Sequence, residues 1–319
     1  MQQIIWNLPV PLHPSALLRS GPPPTIVQFA GLPSDADHAL LGECLAAQPQ
    51  ATLRLAATDM ADDLEFLRHY GRAHRITITL ARVTSFEGLR HLRPDLTALG
   101  IGGTKKRRVS LQPLRRFETL RELTIIGQQE EIDVVGGLRS LERLCLISVK
   151  LPSLDMFRPL RCLRALELKF GGTTNLDAAP DIGRLQYLEI LRVNGLSELG
   201  VLSRLPHLEY LFLQHLKRVC TLPSLAACAA LRRVHLDRVG LTDLRGLADA
   251  PQLEELLVLD MPQLSVEDYR PLVGHTRLRA VTAGLRNEAR RAQIENLLGL
   301  DEVTRYWTDF EFTAPNMTA

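Results

Sequence analysis

The pattern LxxLxL returns again and again along this chain. It reads "LRELTI" (120–125), "LERLCL" (141–146), "LRALEL" (163–168), "LEILRV" (188–193), "LEYLFL" (208–213), "LRRVHL" (231–236) and "LEELLV" (253–258). Upstream lie "LTALGI" (96–101) and the looser "AHRITI" (73–78) and "QATLRL" (50–55), and "LRAVTA" (278–283) ends the series. The central apolar residue falls at 53, 76, 99, 123, 144, 166, 191, 211, 234, 256 and 281, a mean spacing of about 23 residues. A repeat of that length is one supersecondary unit. It cannot bury its own leucines, so it must stack on its neighbours.

The residues within each repeat say what the unit is. The last two apolar positions of LxxLxL flank one other residue, the period-two signature of a short strand with one buried face. The return segments keep a different rhythm, with Leu196, Leu199, Leu202, Leu205 and Leu208 in one and Leu241, Leu244, Leu247, Ala250 and Leu253 in another. Apolar residues at every third position suit 3-10 or irregular helical turns. The second motif position carries Arg121, Glu142, Arg164, Glu189, Glu209, Arg232, Glu254 and Arg279, mostly alternating in sign. Such a row predicts exposed ion pairs between neighbouring coils, each contributing only about 0.2 to 1 kcal/mol.

These motifs resemble the leucine-rich repeat superfamily over roughly residues 50–285, with a period near that of its short, bacterial-type repeats. The resemblance implies an α/β leucine-rich-repeat solenoid, with a curved parallel sheet on the concave side, 3-10 or irregular helical turns on the convex side, and terminal caps. One departure is the absence of the family's asparagine after the strand, where this chain has Thr104, Gln128, Val149, Gly171, Leu196, Leu216, Val239 and Met261.

Four segments follow. Residues 1–24 are proline-rich and read as an extended arm. Residues 25–49 form an N-terminal cap, in which "GLPSDADHALLGECLAAQ" (31–48) predicts a helix capped by Ser34 or Asp35. The solenoid of about 10 to 11 repeats fills 50–285. Residues 286–319 are a C-terminal cap and tail, with a helix in "NEARRAQIENLLGL" (287–300) near Asn287 and a cover of Tyr306, Trp307, Phe310 and Phe312.

Composition narrows the function classes. Lys+Arg 38 against Asp+Glu 36 leaves a net charge of +2, too small a field to argue for nucleic acid or an anionic membrane. No apolar run reaches the roughly 18 to 20 residues of a membrane span, and "MQQIIWNLPVPLHP" lacks a basic leader, so the expected address is cytoplasmic. The cysteines, Cys44, Cys145, Cys162, Cys220 and Cys228, show no metal-binding spacing and read as reduced thiols. Neither GxxxxGK[ST], HExxH nor GxSxG occurs, so no enzyme, cofactor or metal is expected.

Within the superfamily the inner sheet commonly binds a protein partner. The expected partner-binding residues are Phe170, Ile190, Arg192, Tyr210, Phe212, Gln214, His215, Arg233, His235, Asp237, Leu257 and Leu259, where aromatics and arginines supply the usual interface anchors. The module is then a non-catalytic adaptor, scaffold or inhibitor, for example a toxin-neutralising immunity protein. Two other readings stay open. Lys105, Lys106, Arg107 and Arg108 form a basic loop that suits a nucleic-acid-binding solenoid. His215, His235 and Asp237 suit a hydrolase with a cross-coil His/Asp site.

Overall fold

A computed structural model describes residues 4–18, 21–57, 62–106 and 108–303. Arg107 and the aromatics Tyr306, Trp307, Phe310 and Phe312 lie outside the described residues. The chain divides into two compact units, the first running to Arg184 and taking in Arg192–Gly195, the second holding Leu185–Leu191 and the chain from Leu196 onward.

The first unit contains β1 (Ile5–Leu8), β2 (Ile26–Phe29), β3 (Thr52–Ala57), β4 (Arg75–Leu80), β5 (Ala98–Gly102), β6 (Glu122–Ile126), β7 (Arg143–Ile147) and β8 (Ala165–Lys169). The second contains β9 (Tyr187–Leu191), β10 (Tyr210–Gln214), β11 (Arg233–Asp237), β12 (Glu255–Leu259) and β13 (Ala280–Gly284). Within each unit every strand pairs in parallel with the next in sequence. A connection of this length, turning back through a helical segment, is what parallel neighbours require.

Register places like on like. Leu99, Leu123, Leu144 and Leu166 are direct partners in the first unit, as are Leu188, Leu211, Val234, Leu256 and Val281 in the second. All are buried. The return segments are 3-10 turns, for instance Gln112–Arg116, Ile132–Gly137 and Gly200–Arg204. Their every-third rhythm is also their hydrogen bonding: Leu202, Leu205 and Leu208 each donate from the amide to the carbonyl three residues back, as do Leu247, Ala250 and Leu253. One leucine per 3-10 turn therefore reaches the core.

Three features differ from the sequence reading. In β9 the partners of Leu211 and Leu213 are Leu188 and Ile190, so the repeat is "LQYLEI" (185–190) rather than "LEILRV". The core accepts whichever triplet keeps the coil length even. Part of the proline-rich stretch is not an arm, because β1 pairs with β2, and the Thr25 amide donates to the Ile4 carbonyl at 2.9 Å. The charged row is interrupted for the same reason as the register: Gln186, not Glu189, stands beside Glu209, donating to it at 2.8 Å. Elsewhere the row holds, with Arg232 bidentate on Glu254 at 3.0 Å and Arg121 3.6 Å from Glu142.

Two helices flank the coils. In α1 (Asp35–Leu45) Ser34 and Asp37 form a reciprocal capping box, and Asp37 also accepts from the Leu12 amide at 2.6 Å. In α3 (Glu288–Leu298) the Asn287 side chain caps the Arg290 amide. A short α2 (Arg245–Ala248) replaces one 3-10 turn.

Two glutamines serve the turns, Gln128 at a position where the resemblance implies asparagine and Gln263 two residues past another, Met261. Buried Gln128 accepts from the Val109 amide and donates to the Lys106 carbonyl, and Gln263 donates to the carbonyls of Val239 and Leu241. Buried backbone groups in the loops are thereby satisfied.

Candidate functional site

Side chains between the core positions of each strand point outward. In the second unit they form three columns: Tyr187, Tyr210, Arg233, Glu255 and Ala280; Glu189, Phe212, His235, Leu257 and Thr282; and Leu191, Gln214, Asp237, Leu259 and Gly284. The Arg233 guanidinium lies 5.2 Å over the Tyr210 ring, donates to its hydroxyl at 3.0 Å and sits 3.2 Å from Glu255. Phe212 packs on His235 with ring centroids 4.0 Å apart. Gln214 donates to Asp237 Oδ2.

Seven of the expected partner-binding residues sort into three groups. Tyr210, Phe212, Gln214, Arg233 and Leu259 lie on this face and are partly exposed. Ile190, at 0% exposure, is a core residue, a direct consequence of the shifted register of β9. Leu257 points outward but is 1% exposed, because its direct partners His235 and Thr282 stand on either side of it. Neither offers contact area to a partner.

His235 and Asp237 are each 7% exposed, although they occupy outward columns. Both ring nitrogens of His235 have no hydrogen-bond partner within the protein, and Oδ1 of Asp237 has no hydrogen bond but lies 3.7 Å from Arg238 Nε. Burial pushes the His235 pKa down to about 4 against the weak pull of Asp237, so the ring is neutral at pH 7. Desolvated polar atoms without partners are rare in folded proteins, and each calls for a reason.

Immediately after β7 to β12, the turn passes through the left-handed region. Ser148, Phe170, Arg192, His215, Arg238 and Asp260 have φ between 48° and 57°. Side chains other than glycine or asparagine seldom adopt this conformation. The cause is the sheet: Ser148, His215, Arg238 and Asp260 all donate their amide to the last carbonyl of the next strand, extending the ladder by one bond. In the second unit this row holds an Arg238 that donates to Asp260 through Nε and Nη2 at 3.0 and 2.6 Å, and to His215 Nε2 at 2.9 Å. The bond from Arg238, ahead of the burial that opposes it, holds Asp260 below the usual carboxylate range. Arg192 therefore leaves its expected column for the turn row, where its guanidinium lies 5.9 Å from the exposed ring of Phe170 in the first unit.

The outward face of the first unit differs in character. Thr52, Thr77, Ala98, Gly100 and Thr124 put small side chains on it, among the larger Arg54, Arg75, Glu122 and Ile126. It carries two charged nodes among the described residues: Arg75 donates to both oxygens of Glu122 at 3.2 and 2.7 Å, and Glu167, 3% exposed, accepts from Arg143 at 2.6 Å and lies 2.7 Å from Lys169. Burial raises the Glu167 pKa, and the two cations outweigh it, leaving a carboxylate below its ordinary range.

Lys105, Lys106 and Arg108 are exposed. The loop is tied down, with Lys106 Nζ on the Thr84 carbonyl at 3.2 Å and its own carbonyl bonded by Gln128. The proposed hydrolase residues do not assemble: His235 bonds to neither Asp237 nor His215, and His215 accepts from Arg238. Among the described residues no group of three or more His, Cys, Asp or Glu is arranged to hold a metal ion, and no helix is long and apolar enough to cross a membrane. All five cysteines are free thiols.

No protein-family model matches the sequence, and no curated protein does. Solved structures do. An internalin from Listeria monocytogenes superposes with a TM-score of 0.51 at 15% identity, over 84% of this chain and 89% of that one. A leucine-rich-repeat protein from Leptospira interrogans superposes with a TM-score of 0.56 at 16% identity, over 86% and 75%. The chain has the leucine-rich-repeat fold. The functional domain of InlJ from Listeria monocytogenes, which includes a cysteine ladder, superposes at 0.52 and 17% identity, over 81% of this chain and 53% of that one. On the leucine-rich-repeat fold seen here the cysteines form no such column: Cys145 lies on β7, Cys228 in a return segment and Cys44 in α1.

Sequence reasoning missed Tyr187, Glu189 and Glu255 on the outward face, and the turn residues Arg238 and Asp260. The first two follow from placing β9 at the more even spacing. The turn row carries no composition signal, since its conformation is set by the ladder.

Proposed function

We propose that this chain is a non-catalytic recognition module that binds a protein partner on the outward face of β9–β13, centred on Tyr210, Phe212, Arg233 and Leu259. The observation that carries this reading is the grouping of the partly exposed aromatics Tyr210 and Phe212 with the Arg233 guanidinium and with buried His235, whose ring nitrogens have no hydrogen-bond partner within the protein. A partner group donating to a His235 nitrogen would supply a hydrogen bond that no group of the protein itself makes. Strands fix these side chains before binding, so little conformational entropy is lost on association. Tyr210 with Arg233 above it is the kind of aromatic and arginine anchor on which interface energy concentrates. An adaptor or an inhibitor would use the same surface. Free thiols, with Cys162 and Cys220 exposed, support a reducing, cytoplasmic setting.

The test is a quantitative affinity comparison on partners captured by the intact chain. Tyr210→Ala with Phe212→Ala is expected to weaken binding by about a hundredfold or more, as for loss of two anchors of about 2 kcal/mol each. Lys105→Ala, Lys106→Ala and Arg108→Ala together are expected to change it little. Unaltered affinity in the aromatic variant, with its unfolding transition intact, rejects the surface. Salt-sensitive oligonucleotide binding lost with the lysines would favour the nucleic-acid reading instead.

A further inference from the structure

Beside the last turns of the second unit lies a cleft of about 510 Å³ lined by Arg238, Asp260, Pro262, Leu285, Arg286 and Arg290. Its three guanidiniums are held differently. Arg238 is committed to Asp260 and His215, with Asp237 Oδ1 3.7 Å from its Nε. Arg290 is partly buried, and its Nη1 donates to the carbonyls of Pro262 at 2.7 Å and Leu264 at 3.2 Å, which fixes the guanidinium plane while leaving its other nitrogens for a ligand. Arg286 is exposed and makes no hydrogen bond or ion pair among the described residues. Two carboxylates, Asp260 in the cleft and Asp237 behind Arg238, stand against three guanidiniums, so one positive charge is left uncompensated. Pro262 and Leu285 supply apolar wall beside that charge.

Position links the cleft to the sheet face. Arg238 and Asp260 directly follow Asp237 and Leu259, the last outward residues of β11 and β12. A chain lying on that face and running off the C-terminal ends of the strands meets the cleft next.

We infer that this cleft is an acidic-side-chain subsite, in which Arg286 and Arg290 clamp a carboxylate of a partner peptide while an adjacent aliphatic side chain packs on Pro262 and Leu285. The inference rests on the sheet-face reading for the source of the peptide, but not for the chemistry of the cleft. Guanidinium is suited to the task because its planar donors match two carboxylate oxygens and it sheds water more readily than an ammonium. A phosphate group has the same donors to meet, and the experiment separates the two.

The probes are a fluorescent peptide alternating leucine and glutamate, the same peptide with glutamine in place of glutamate, and inorganic phosphate as competitor, all with the full chain. The glutamate peptide is expected to bind at least about tenfold more tightly than the glutamine peptide, with affinity falling as salt rises. Arg286→Gln is expected to erase most of that preference and Arg286→Glu to abolish it. Both variants should fold as the parent does, because Arg286 holds no other part of the structure. Equal binding of the two peptides, or a preference that survives Arg286→Glu, overturns the inference. So does full displacement by phosphate without any preference between peptides, which would mark a free-phosphate site. The Tyr210→Ala, Phe212→Ala variant distinguishes the failures: if it loses captured partner while Arg286→Glu retains both partner and peptide preference, the cleft fails and the sheet face stands.

Discussion

Gly102→Val is expected to destabilise the first unit by roughly 4 kcal/mol or more, enough to unfold a marginally stable coil. Gly102 ends β5 with φ at 124°, a region that residues with a Cβ essentially never occupy. A Cβ there would also fall well inside van der Waals contact of the Ile126 carbonyl, which accepts from the Gly103 amide at 3.0 Å. Ile126 belongs to β6, so neither backbone can retreat without opening the ladder between two coils. Stacked repeats depend on such interfaces, and the loss is therefore not local. Gly127→Ala is the control. Its φ of 70° carries the ordinary left-handed strain, about 1 kcal/mol, and nothing lies within 4 Å of the added atom. Urea unfolding of the two variants measures the difference. A Gly102→Val chain within about 1 kcal/mol of the parent would show that β5 and β6 tolerate a shift that their register argues against.

How far the residues alone reveal this molecule depends on which interactions place them. Leu123, Leu144 and Leu166 stand as partners in adjacent strands because burying one face imposes a repeat that any stacked coil must obey. The β9 frame was harder, since "LQYLEI" and "LEILRV" overlap and both satisfy LxxLxL. Spacing favours the first: centring on Leu188 gives intervals of 22 and 23 residues to Leu166 and Leu211, against 25 and 20 for Leu191. That three-residue slip alone moved Ile190 from the core to the expected surface and hid Tyr187. β1 and β2 lack the leucine pattern because "IWNL" and "IVQF" are too short to show a period, and their strand character comes from pairing. The turn row and the burial of His235 are set by neighbouring strands, which no single repeat contains. The outward columns of β10–β12 were legible, because alternation along a strand fixes the face once one core position is known.

Acidification from pH 7 to about 4.5 is expected to remove several kcal/mol of stability, most of it above the range where carboxylates titrate, through two buried histidines, one in each unit. His38 is 4% exposed in α1, stacked on Phe66 at 4.7 Å, with Nδ1 2.7 Å from the Tyr70 hydroxyl. Burial, assisted by the charge of His69, pushes its pKa down to about 4, and burial does the same to His235. An unfolded histidine titrates near 6.5. Between those values the unfolded chain binds more protons, so stability rises with pH across the window and is lost as pH falls through it. The stabilisation is fully present above about 6.5, and each ring accounts for about 3 kcal/mol between there and pH 4. Carboxylates such as Asp37, held down chiefly by the Leu12 amide, and Glu167 have folded pKa values below their unfolded ones. Their contributions are lost as pH falls through the ordinary carboxylate range and below it, so the two windows meet near pH 4.5 and the loss above that belongs to the histidines. Urea unfolding at pH 7.0 and 4.5 measures the histidine share, and NMR titration of the imidazole protons assigns it. His235→Phe should flatten the second unit's dependence on pH without weakening it at pH 7, since the ring it replaces makes no hydrogen bond and packs on Phe212. Protonation of either ring near 6.5 in the folded chain would mean that water reaches it, and for His235 that the desolvated ring offered to a partner is already satisfied.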